Sequence, residues 1–192
     1  NIVDRSEQLD RLLRERLVVF DGAMGTMIQQ RSLSEADYRG AHFKNSLKDL
    51  KGCHDLLNLT RPRIVEEIHR QYFEAGADIV ETNTFNSQAI SLADYDLESV
   101  AYAIAKAGAE CARSAADQVM AAHGERVCWV AGAIGPTTKT ASIATDVNNP
   151  SARSTTYDEL VAAYYEQARG LLDGGADILL VETIFDTLNA KA

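Results

Sequence analysis

Two hydrophobic rhythms alternate along the chain. Short unbroken apolar runs, as in buried parallel strands, fall at residues 18–20, 79–80, 127–134 and 178–181. Between them, apolar residues recur every three or four positions, as in amphipathic helices. Residues 4–17 place Leu9, Leu12, Leu13 and Leu17 on one stripe, with Asp4 and Glu7 as a capping pair. This helix is expected to lie as a lid over one end of the domain. A second helix opens at Pro62, a favoured first-turn residue, buries Ile64, Ile68 and Tyr72, and stops at Gly76. A third spans 98–122, with Val100, Ile104, Ala107, Cys111, Ala115 and Val119 in phase and Gly124 behind it. A fourth opens on the capping box Thr156-x-x-Glu159, buries Leu160, Tyr164, Ala168 and Leu171, and ends at Gly174-Gly175. Residues 187–192 begin a fifth. Residues 32–60 follow neither rhythm, and their length predicts a packed Ω-like loop or a functional excursion. Residues 137–155 read as a polar loop.

Strands alternating with helices predict a parallel sheet with helical crossovers. The chain also repeats itself. Gly76-Ala77-Asp78-Ile79-Val80-Glu81-Thr82 is echoed by Gly175-Ala176-Asp177-Ile178-Leu179-Leu180-Val181-Glu182-Thr183, with one apolar stretch two residues longer. Asp21, Glu81, Asn83 and Glu182 all stand at strand ends, where a (βα)8 barrel collects its active groups. A complete barrel of this class needs about 250 residues. Four strands in 192 residues therefore predict an α/β fold that is the N-terminal half of a TIM-type barrel, with open strand edges and exposed apolar surface. A doubly wound sheet is the alternative that four strands satisfy alone.

Composition narrows the function. A net charge of −9 without a Lys/Arg block argues against nucleic acid and anionic membranes as partners. Cys53, Cys111 and Cys128 are odd in number and widely spaced, which is no disulfide framework and points to a reducing, cytoplasmic setting. No C-x-x-C or H-x-x-x-H spacing marks a zinc site. The neighbours Cys53 and His54 lack further ligands nearby in sequence, and His42, His54 and Asp55 read as solvated or locally hydrogen-bonded. Cys111 and Cys128 read as inert core thiols. The first residue, Asn1, suggests a chain processed or cut from something longer.

The stretch richest in chemistry is Val18-Val19-Phe20-Asp21-Gly22-Ala23-Met24-Gly25-Thr26-Met27. A buried strand runs into a glycine-bearing turn and then a short helix. Gly22 and Gly25 allow positive φ or close approach of a ligand to the main chain. The amides of Gly22, Ala23 and Met24 can face an anion.

That motif resembles the first strand of the homocysteine S-methyltransferase family. Three further stretches carry the resemblance: residues 72–87 (YFEAGADIVETNTFNS), 135–143 (GPTTKTASI) and 181–192 (VETIFDTLNAKA). Within the family the motifs stand closest to the N-terminal homocysteine-binding module of the cobalamin-dependent methionine synthases. The resemblance implies a (βα)8 barrel that binds homocysteine and zinc, with methyl transfer from cobalamin to the zinc-activated thiol. The methyl group would be regenerated from methyltetrahydrofolate, and the cobalamin- and folate-binding domains of the parent protein would be the partners. The family's zinc is held by three cysteines on later strands. Residues 1–192 then read as a homocysteine-binding domain truncated before its zinc-binding half, inactive alone and open to self-association through the cut edge. On the same footing, the Gly22 and Ala23 amides would take the substrate carboxylate and Glu182 its ammonium. Asp21 would fix the first loop or orient the sulfur, Glu81 would bind or brace, and Asn83, Phe85 and Asn86 would wall the pocket. Betaine or S-methylmethionine as donor is the alternative within the family, and a non-catalytic, self-associating half-barrel is the alternative outside it. An aldolase-like barrel would offer a strand-end lysine, and none of the four strands does.

Overall fold

In the computed structural model, which describes residues 5–124 and 126–192, α1 (Ser6–Glu15), α2 (Met24–Gln29), α3 (Glu35–Arg39), α4 (Leu57–Thr60) and α5 (Pro62–Ala75) precede the first strand, β1 (Ile79–Glu81). Then come α6 (Ala89–Leu92), α7 (Ala101–His123), β2 (Trp129–Ile134), α8 (Tyr157–Asp173), β3 (Ile178–Val181) and α9 (Thr187–Lys191). The strands pair in parallel in the order β1-β2-β3, and Phe20 adds a parallel bridge to Ile79. Spatial order thus follows chain order. The connecting helices stack in sequence, α5 on α7 and α7 on α8. A doubly wound sheet would reverse strand order at a switch point, and the described residues show no reversal.

Side chains alternate across the sheet. Val80, Val130 and Ile134 pack under the helices with Phe73, Ala105, Ala109, Leu160 and Leu171. Ile79, Trp129 and Ala131 face the other way and pack with Leu9, Val18, Ile178 and Leu180. Alanine and glycine bring the helices close. A Cβ on Gly108 of α7 would come within 2.4 Å of Thr84 and 2.6 Å of Asn58.

The repeat has a mechanical meaning. Gly76 and Gly175 both take positive φ, 115° and 95°, at helix-to-strand turns. The Asp78 carboxylate accepts from the Val19 amide at 2.9 Å, and that of Asp177 from the Val130 amide at 2.9 Å. Each aspartate pins its strand to the preceding one, and each is paired with arginine: Asp78 with Arg16, and Asp177 with Arg5 and Arg113.

Some expectations need correction. The 18–20 segment forms one bridge rather than a strand, because only its β1 side has a neighbour and Val19 and Phe20 stay exposed. The leucine stripe of α1 holds it only in part: Leu9 packs on Ile79 and Trp129, no residue of the helix is fully buried, and Leu13 and Leu17 are 57% and 90% exposed. Arg5 is the second anchor. The Arg5 guanidinium lies 4.3 Å over the Trp129 ring and also donates to the Cys128 carbonyl at 3.0 Å. The expected cap Asp4 lies outside the described residues. On α5 the buried face is Val65, Ile68, His69 and Phe73, turned from the expected Ile64, Ile68 and Tyr72. Residues 32–60 contain α3 and α4 and pack Tyr38, Leu50, Cys53, Leu56 and Leu57 into a second core. Gly22 and Gly25 do not take positive φ. The Thr156–Glu159 capping box is formed in full. Among the described residues no helix is long and apolar enough to cross a membrane.

Candidate functional site

The strand face that buries Ile79, Trp129 and Ile178 at one end carries Glu81, Ala133 and Glu182 at the other. There a cavity of about 620 Å³ opens at the C-terminal ends of the strands. It is lined by all eight residues singled out in the sequence: Asp21, Gly22, Ala23, Glu81, Asn83, Phe85, Asn86 and Glu182. Its position follows from parallel pairing, which brings every strand's C-terminal end to the same side.

Asp21 is fixed to β1 from both ends. Its amide donates to the Ile79 carbonyl at 3.0 Å, and its carboxylate accepts from the Glu81 amide at 3.1 Å. Gly22 lets the Tyr72 ring approach the main chain closely, since a Cβ there would lie 3.1 Å from it. The Tyr72 hydroxyl donates to the Ala23 carbonyl at 3.2 Å. Ala23 is the N-cap of α2 and supplies no side-chain cap, so the first turn of α2 meets the cavity with main chain. Gly25 has open space around it.

Asn83 is mostly a brace. Its side-chain NH2 donates to the His54 carbonyl at 2.8 Å and to Asn58 Oδ1 at 3.0 Å. Asn58 returns a 2.7 Å bond to the Asn83 carbonyl. Thr82 and Thr84, beside it, tie the end of β1 to Ala133 through buried hydroxyls. Phe85 and Asn86 follow in a loop whose carbonyl at Phe85 accepts from the Gly135 amide at 3.1 Å.

The electrostatics are one-sided. Among the described residues Asp21, Asp55, Glu81, Asp94 and Glu182 line the cavity, and no lysine or arginine does. Burial pushes the Asp21 carboxyl up to about 7; the Glu81 amide opposes this, and the charges of Glu81 and Glu182 add to it. Burial also raises Glu81, and it raises Glu182 with help from the Glu81 charge. The three carboxyls therefore compete for ionisation and gain from any cation placed among them. Thr183, directly after Glu182, holds φ of 59°, a strained conformation for a β-branched residue.

Sequence reasoning passed over the opposite wall. Cys53, His54 and Asp55 reach the cavity from the 32–60 excursion, and Ser91, Tyr95 and Thr138 complete it. The His54 ring nitrogen Nδ1 pairs with the Tyr38 hydroxyl at 2.8 Å, and burial lowers the His54 pKa. The length of the excursion was the only signal for this wall.

The donor set does not fit a zinc ion. Among the described residues no three His, Cys, Asp or Glu side chains are grouped to hold a metal. The three cysteines are free and buried, with Cys128 in the helix-side core and the other two in the second core. Burial pushes Cys53 and Cys111 up to about 12, far from the thiolate that zinc requires.

Comparison with known proteins agrees with this architecture. The model of the homocysteine S-methyltransferase family matches residues 18–192. Crystal structures of the homocysteine methyltransferase MmuM from Escherichia coli, in oxidised and metallated forms, superpose with a TM-score of 0.71 at 23% identity. They cover 94% of this chain, which spans 58% and 59% of theirs. The apo form gives a TM-score of 0.62 at 22% identity over 93% of this chain and 54% of its own length. At such identity the likeness is one of fold.

Proposed function

The chain belongs to the homocysteine S-methyltransferase family, and on that premise we propose that residues 1–192 are the homocysteine-binding part of a (βα)8 barrel. The observation that carries the reading is the cavity itself, which Asp21, Glu81 and Glu182 line together with the first turn of α2. An amino acid brings the complementary pair of charges. Glu182 receives the ammonium, with Glu81 beside it. The Gly22 and Ala23 amides receive the carboxylate. Asp21 bonds to the Glu81 amide and so fixes the first loop against β1. Phe85, Asn86 and the braced Asn83 wall the pocket.

The reaction proposed for the parent protein is methyl transfer to the homocysteine thiol, giving methionine. A free thiol titrates at about 8.5 and is mostly un-ionised at neutral pH. Zinc holds a thiol as thiolate, but this chain's cysteines do not fit it, so the ligands are proposed to lie outside residues 1–192. What these residues do is bind and orient the amino-acid end, which limits where the sulfur can sit. The donor is proposed to be a cobalamin-bound methyl regenerated from methyltetrahydrofolate, presented by other domains of the parent protein. One observation favours the second reading, betaine or S-methylmethionine as donor. A cavity lined by five carboxylates and no lysine or arginine suits a cationic methyl donor. Three free, buried cysteines support a reducing, cytoplasmic setting.

Calorimetric titration with L-homocysteine and with 4-mercaptobutyrate, which lacks the amine, tests the assignment. Glu182→Gln should weaken homocysteine binding about 10-fold, the scale of one charge-assisted hydrogen bond. It should leave the weak binding of 4-mercaptobutyrate unchanged. Equal homocysteine affinity in both proteins removes Glu182 from the site. Elemental analysis of the chain purified with zinc should find essentially none. One zinc per chain would bring Cys53, His54 or Cys128 back as ligands.

A further inference from the structure

The loop that follows β1 has no strand or helix to hold it between Glu81 and α6, yet it forms one wall of the cavity. Thr82, Thr84 and the Phe85 carbonyl tie it to Ala133 and Gly135, and the rest of its support comes from the turn and helix start at residues 53–58. Asp55 lies there, 5% exposed. One of its oxygens, Oδ2, accepts both the Asn86 amide at 2.8 Å and the Ser87 hydroxyl at 2.7 Å. On either side the same turn grips Asn83 through the His54 carbonyl and through Asn58. Burying a carboxylate costs several kcal/mol unless it is hydrogen-bonded, and here two of its bonds come from one loop at adjacent residues. Burial pushes the carboxyl up to about 6 against the downward pull of those donors.

We propose that Asp55 is a positioning residue for the homocysteine pocket, holding Phe85 and Asn86 in the place where they meet the substrate. This rests on the homocysteine reading above. Asp55 touches the loop, and through the loop it sets the shape of the wall that Phe85 and Asn86 form. Because both bonds go to one oxygen, an amide oxygen in the same place can accept them. The role therefore belongs to the acceptor and not to the charge.

The test pairs a local readout with binding. In the chain as it stands, Asp55→Ala should speed hydrogen exchange of the Asn86 amide at least 10-fold and weaken L-homocysteine about 10-fold, the cost of losing a charge-assisted bond. Asp55→Asn should restore both to within about 3-fold, on the smaller scale of a neutral hydrogen bond. If Asp55→Ala frees Asn86 but binds homocysteine like the wild type, the residue only stabilises the loop and the proposal is overturned. Protection of Asn86 that survives Asp55→Ala overturns it as well, as does an Asp55→Asn variant no better than Asp55→Ala. Should Asp55→Ala fail to fold, Ser87→Ala removes one of the two donors. That variant should raise Asn86 exchange and weaken homocysteine, and no change in either overturns the proposal. A wild-type chain that binds no homocysteine is a different result: it refutes the substrate reading first, and the positioning role falls with it.

Discussion

Asp21 lines the proposed substrate cavity at a cost to folding. Its ordinary value is 3.8 and its folded value about 7, raised by burial first. Below 3.8 the group is protonated in both folded and unfolded chains. Between 3.8 and 7 only the folded chain holds the proton, so the stability it contributes is lost as pH rises through 7. Asp21→Asn removes that loss. It should raise the melting temperature at pH 8, by about 2–4 °C for each kcal/mol recovered, with little change at pH 4. It should also weaken homocysteine, because the loop it fixes abuts Glu81. A lower melting temperature at pH 8 would show that the bond to the Glu81 amide outweighs the buried charge. At this scale the strand-end side of the cavity was legible from sequence. Asp21, Glu81 and Glu182 announce themselves as acids ending apolar runs. Asp55 and His54 do not, because what brings them to the cavity is the packing of their neighbours Leu56 and Leu57 into a core with Tyr38 and Ile104, which lie some way off in the chain. Asn83 was read as a wall and is largely a brace, which only its partner Asn58 reveals.

The helices show how far periodicity reaches. The capping box of α8 and the glycine stop of α5 are local chemistry, and both formed where the residues placed them. The buried face of α5 is not local. It turned to include His69, a polar residue that hydropathy assigns to solvent and the α7 side of the fold encloses. α6 is four residues long, too short for any period to register. His69 carries a consequence of its own. Neither ring nitrogen has a hydrogen-bond partner, and burial lowers its pKa from 6.5 to about 3. The folded chain therefore keeps it neutral while the unfolded chain takes up a proton below 6.5. Stability from this group falls as pH drops from 6.5 towards 3, by about 1.4 kcal/mol per pH unit. His69→Leu should flatten that slope. Urea midpoints at pH 7 and pH 5 should differ for the wild type by more than for the variant. Equal differences would mean the ring is hydrated in solution.

The whole molecule is asymmetric in what it covers. Beneath α5, α7 and α8 the sheet is closed, whereas β3 leaves Leu179 40% and Val181 55% exposed, beside Tyr165 of α8 and Phe185 at 71%. Across the sheet, Val19 and Phe20 are open as well. Monomeric proteins seldom leave contiguous apolar surface of this kind uncovered, and a parallel edge strand is a template for another chain. The open β3 side and the open Phe20 side are complementary in direction, since both run parallel to the same sheet. The chain should therefore self-associate in a concentration-dependent way, seen by sedimentation velocity. Val181→Lys puts a charge on the half-exposed end of β3, in the groove Val181 shares with Ile134, Tyr164 and Tyr165. It should shift the chain to monomer with an unchanged circular dichroism spectrum. A wild-type chain that stays monomeric at every concentration would show that the exposed edge is tolerated. The carboxyl-lined cavity would then remain as a surface suited to meet something else.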